Sequence, residues 1–167
     1  MEQVLYYGFE IVEEGLETIR RFLIENEIDL VGGEQKEMHM TCEYFGPNPS
    51  TKTLQRMQMV LPGIDDIGKA VTLIADGYGD YPNDSGVILN QGLRISKDSL
   101  KKISLSDGRT GLELSQNEVP HITLSVNRDR DAKTGCPVAF AVDTAKCDFI
   151  PIKPFPIQGR VKLFYNE

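Results

Sequence analysis

Two segments lying 82 residues apart (positions 39 and 121) carry the same alternation: His39-Met40-Thr41-Cys42 and His121-Ile122-Thr123-Leu124. In an extended chain, successive side chains point to opposite faces. Met40 and Cys42, like Ile122 and Leu124, therefore fall on one face, and each His shares the other with its Thr. Such a pattern demands a sheet with one packed face and one polar face, because a one-residue slip would bury the imidazoles and expose the apolar set. The chain has no other histidine, and only 9 of its 167 residues are threonine. A threonine two places after both histidines is thus rare by chance, about one in nineteen for each (9/167).

The rest of the sequence supplies partners for these strands. Residues 4–12 are rich in β-branched and aromatic side chains and predict a strand. Residues 13–27 predict a helix, with Leu16, Ile19 and Leu23 on one face. The first motif strand is expected over 37–45 and ends at Gly46-Pro47-Asn48-Pro49. Ser50 suits the N-cap of a helix reaching residue 61. Strands are expected over 70–78 and 86–95, with the polar run from Gly79 to Ser85 as the turn between them. Residues 96–106 fit either a short helix or a strand. Pro120 opens the second motif strand, 127–135 reads as a charged loop, and strands are expected over 138–142 and 160–165. This mixture, without a glycine-rich dinucleotide turn, predicts an α+β fold in a single domain, residues 1–167.

Imidazole is the side chain whose ordinary pKa lies nearest neutrality. A pair can therefore hold one base and one acid together, each giving roughly 10²–10⁴-fold catalysis when positioned. Threonine hydroxyls beside them can donate hydrogen bonds to the non-bridging oxygens of a phosphate. Two strands facing one another would surround a phosphate-sized space with two imidazoles and two hydroxyls. This arrangement suits acid–base chemistry at phosphorus without metal or cofactor. The chain has three cysteines (Cys42, Cys136, Cys147) and no CxxC, so a zinc site would need an unusual ligand set. Scattered cysteines and an N-terminus without a signal-like stretch lead to the expectation of a reducing, cytoplasmic setting. No apolar run reaches membrane-spanning length. A net charge of −7 disfavours a grip on extended DNA and favours a small nucleotide or an RNA end.

The segments His39-Met40-Thr41-Cys42-Glu43-Tyr44-Phe45-Gly46 and Pro120-His121-Ile122-Thr123-Leu124-Ser125 resemble the paired motifs of the two-histidine (2H) phosphoesterase superfamily. The first is similar to the H-x-T-x-x-[FY]-x-G form of LigT-like proteins, the second to the P-H-[IV]-T-L strand. The resemblance implies a bilobal fold of two antiparallel sheets around a central cleft, with helices outside. It implies His39 and His121 as the acid–base pair and Thr41 and Thr123 as phosphate ligands. It also implies hydrolysis of a nucleotide phosphodiester by a monomer, with a 2′,3′-cyclic phosphate as the leading substrate. Cyclic di- or oligonucleotide messengers are the alternative substrate, and a non-catalytic nucleotide-binding module is the alternative class. Tyr6, Ser125 and Arg128 are further candidates for cleft contacts, against the plainer readings of core packing for Tyr6, a surface or wall position for Ser125, and a solvated charged hairpin for Arg128.

Overall fold

The computed structural model describes residues 3–35, 37–82, 84–127 and 148–166. The elements run β1 (Gln3–Ile11), α1 (Glu13–Glu25), β2 (His39–Tyr44), α2 (Thr51–Val60), β3 (Ala70–Pro82), β4 (Ile88–Ile95), α3 (Lys97–Lys101), α4 (Gly111–Leu114), β5 (His121–Val126) and β6 (Asp148–Asn166). The class is α+β, as the sequence predicts. The described strands form one antiparallel sheet of six in the order β2-β1-β6-β3-β4-β5, where two sheets were expected.

The reason for one sheet is the length of β6. Its 19 residues pair with β1 from Asn166 back to Gly159, and with β3 from Arg160 back to Asp148. The strand expected over 160–165 is thus only the end of a longer one that also takes in Pro151, Pro154 and Pro156. Those prolines fall where β6 pairs with β3 alone, so a missing backbone N–H can face the unpaired side. β3 likewise runs through Gly79, Asp80 and Tyr81, which were expected in the turn, because these residues pair with Gly92, Gln91 and Asn90 of β4. The ambiguous stretch 96–106 contains α3, capped by Ser96, whose Oγ accepts from Ser99 N–H. α4 was not foreseen, although Thr110 and Glu113 form a capping box at its start. The expected loop at 127–135 and strand at 138–142 lie outside the described residues, apart from Asn127.

Both halves of the sheet repeat one plan. β1-α1-β2 and β4-α3-α4-β5 each run strand, helix, motif strand. In each pair the register shifts just before a glycine of the first strand, at Tyr7/Gly8 and at Gln91/Gly92. That glycine then lies opposite the motif threonine: Gly8 opposite Thr41, Gly92 opposite Thr123. A Cβ on Gly8 would stand 2.1 Å from the Met40 carbonyl oxygen, so only glycine permits this approach.

One apolar cluster fills the inner face. Phe9, Met40, Cys42, Leu73, Leu93, Ile122, Leu124 and Ile157 are fully buried in it, and Ile19 and Leu23 of α1 close it from outside. α1 sits directly on the sheet because Gly15 would bring a Cβ to 2.3 Å from the Gln158 carbonyl oxygen. The alternation of β2 ends one residue early. Tyr44, which continues the alternation of Met40 and Cys42, is exposed, while Phe45 packs on the cluster.

Candidate active site

The two motif strands occupy opposite edges of the sheet, yet the sheet curls until those edges meet. The contact is made by the segments leading into each motif. Gln116 N–H donates to the Cys42 carbonyl at 2.7 Å, and Asn117 Nδ2 donates to the Thr41 carbonyl at 2.8 Å. Reciprocally, the segment before β2 binds the edge of β5. Gln35 N–H donates to the Leu124 carbonyl at 3.4 Å, and Gly32 N–H donates to Ser125 Oγ at 2.6 Å. Gln91 holds the same segment from below. Its Oε1 accepts from Val31 N–H (2.8 Å), and its Nε2 donates to the Asp29 carbonyl (2.9 Å) and to Tyr78 Oη (2.8 Å).

This closure brings the two motif strands into contact. Burial holds His39 below its ordinary pKa, with nearby Glu37 and Glu10 opposing and His121 adding to the depression. Burial lowers His121 as well, opposed by its bond to the Val119 carbonyl. That bond, Nδ1 to Val119 O at 2.8 Å, fixes a tautomer. A carbonyl only accepts, so Nδ1 carries the proton and Nε2 is the basic nitrogen of the neutral ring. At His39 the carbonyl two residues upstream, that of Glu37, lies near enough to support the charged form. It is not in bonding geometry, and Nδ1 is buried without a partner among the described residues.

The surroundings of the two rings differ. His39 lies against Tyr6 (centroids 5.0 Å apart) and Phe164 (5.1 Å), which stack on each other at 4.3 Å. Glu10, in register with His39, accepts from Arg160 and Lys162 at 2.7 and 2.5 Å. Burial pushes Glu10 upward, but those two bonds outweigh it and hold the carboxyl low. In register with His121 is a cation, Arg94, whose Nε donates to Asp76 Oδ1 at 2.8 Å. Equivalent positions of the two halves thus carry ion pairs of opposite polarity.

Thr41 and Thr123 are half-buried beside their histidines. Tyr6 lies against His39 and stacks on Phe164. Ser125 departs from the expectation. It is completely buried, and its hydroxyl is taken by Gly32 N–H, so it is part of the closure instead of the cleft surface. The register shift at Gln91/Gly92 takes β5 out of simple alternation there. Arg128 lies outside the described residues. Cys42 is buried, and burial raises its thiol pKa far above neutrality, so it is an apolar core group. Sequence reasoning missed Glu10, Arg94, Phe164 and the Gln91 clamp. Their relation to the motifs depends on strand register between distant segments, and only Gly8 and Gly92 hinted at it. Among the described residues, no helix is long and apolar enough to cross a membrane.

Scans against protein-family models and against curated proteins return no match for this chain. The likeness to 2H phosphoesterases therefore stands on the residues of the two motifs.

Proposed function

We propose that this protein is a phosphodiesterase that cleaves a nucleotide phosphodiester by two-histidine acid–base catalysis, without a metal ion, and that its leading substrate is a 2′,3′-cyclic phosphate on a small nucleotide or RNA end. One observation carries the reading: the only two histidines, each with its threonine, come from strands at opposite edges of a sheet that curls until those edges are joined by hydrogen bonds.

In the proposed reaction a neutral imidazole takes a proton from water as the water oxygen attacks phosphorus. The opposing imidazolium gives its proton to the leaving ribose oxygen as the P–O bond breaks. Thr41 and Thr123 donate hydrogen bonds to the non-bridging oxygens, where negative charge grows. Burial alone favours two neutral rings, and an anionic diester between them would favour protonation of one. The two-lobed expectation belongs to this proposal: the half-sheets β2-β1-β6 and β3-β4-β5 are its lobes, joined through β6.

The test is turnover of nucleoside 2′,3′-cyclic phosphates and cyclic dinucleotides in EDTA, followed by chromatography. His39→Ala and His121→Ala should each abolish it. Full activity in either variant, or a strict need for a divalent ion, overturns the mechanism. Tight binding without turnover over hours supports the binding-module alternative.

A further inference from the structure

Among the described residues, Arg94 is a cation on the motif side of the sheet that the mechanism does not use. Leu93 and Ile122 are paired and wholly buried, so the next pair, Arg94 and His121, faces the other way. Gly77 of β3 continues that row opposite Arg94. The space a Gly77 Cβ would fill holds the Phe149 ring, 2.3 Å from the ideal Cβ. The Arg94 guanidinium rests over that ring, 4.5 Å from its centroid. Phe149, Arg94 and His121 thus stand in sequence along the motif side of the sheet.

We propose that Arg94 binds a second phosphate of the substrate, adjoining the one at which His39 and His121 act as base and acid. This inference rests on the phosphodiesterase reading and narrows its substrate class to nucleotides carrying a further phosphate near the cyclic or diester group. Among the described residues, the cations beside His39, Lys162 and Arg160, are both engaged by Glu10. Among the described residues, Arg94 hydrogen-bonds through Nε alone, and neither Nη1 nor Nη2 has an acceptor. Its side chain is about one-third exposed, at 32%. A guanidinium held on one edge by a carboxylate and on one face by a ring loses little freedom when its open edge takes a phosphate. Its planar fork matches two phosphate oxygens, which an ammonium does not. A cation held in this way on a chain of net charge −7 is a local exception to the overall field.

Two sources of that phosphate are separable: a 5′-phosphate on the same nucleotide, or the preceding diester in an oligonucleotide. Three substrates serve as probes: a nucleoside 2′,3′-cyclic phosphate, its 5′-phosphorylated form, and a dinucleotide ending in a 2′,3′-cyclic phosphate. One or both second-phosphate forms should exceed the simple nucleotide in kcat/KM by roughly 10- to 100-fold, the scale of one charge-assisted pair. Whichever form gains identifies the source. Arg94→Gln should collapse that ratio toward one by raising KM for the favoured substrate, and Arg94→Lys should leave an intermediate ratio. Because the ratio compares two substrates on the same sample, partial misfolding of a variant does not move it. Turnover without a second-phosphate preference, or a preference that survives Arg94→Gln, overturns this inference and leaves the phosphodiesterase reading standing. Turnover of none of the three by the wild-type chain overturns both.

Discussion

Gly32 is the point at which the closure of the sheet can be tested with one methyl group. Its backbone has ordinary φ, so alanine brings no conformational strain, only volume. The new Cβ would lie 2.1 Å from the Val126 carbonyl oxygen and 2.9 Å from Ser125 Oγ. Real Cβ contacts essentially never fall below 3.0 Å, so the segment must retreat by about 0.9 Å. That retreat stretches the Gly32–Ser125 bond from 2.6 Å to about 3.5 Å, the limit of bonding. It leaves a fully buried hydroxyl unpaired. A lost bond of about 1 kcal/mol with a desolvation penalty of roughly 1–3 kcal/mol gives about 2–4 kcal/mol. For a chain of this size that is a fall in Tm of roughly 5–15 °C. Displacement by nearly 1 Å of the segment that leads into His39 should also cut turnover by up to about 100-fold. Circular-dichroism melts and the cyclic-phosphate assay measure the two effects. Gly33→Ala is the contrast: its Cβ meets open space, but its φ of +75° makes alanine strained, at about 1 kcal/mol. If Gly32→Ala melts within about 2 °C of wild type, the closure described here is wrong.

Two further outcomes are expected. Gln91→Met removes three buried or partly buried bonds, to Val31, Asp29 and Tyr78, and should cost about 2–4 kcal/mol, read as a lower urea midpoint; an unchanged midpoint would show that the segment before β2 is held otherwise. Burial holds both imidazoles below their ordinary value of 6.5, so below that pH the unfolded chain binds protons that the folded chain refuses. The stability present above about pH 6.5 is then lost as pH falls toward the folded-state values. A His39→Gln/His121→Gln double variant should lose less between about pH 7 and 5 than wild type, and equal losses would contradict the burial of the rings.

The sequence was most legible where a single element decides the pattern. The inner faces at Met40/Cys42 and Ile122/Leu124, the α1 stripe and the Ser50 cap follow from local periodicity and local hydrogen bonding. β6 is longer than the strand expected over 160–165, and whether its upstream prolines are tolerated depends on which edge of the strand a neighbour occupies. The bonded state of Ser125 was hidden for a similar reason, since a bulge in β5 between Thr123 and Ser125 decides which way it faces.

From sequence alone came the paired histidines with their threonines, the side of each strand on which they lie, and the α+β class. These follow from the two-residue repeat of an extended chain, a property of each segment by itself. Only the tertiary structure decided that opposite edges of one sheet curl together, that Glu10 stands beside one histidine and Arg94 beside the other, and that glycines 8, 32 and 77 make room for these approaches. Such relations come from register and contact between segments far apart in the chain, and no local pattern of residues encodes them.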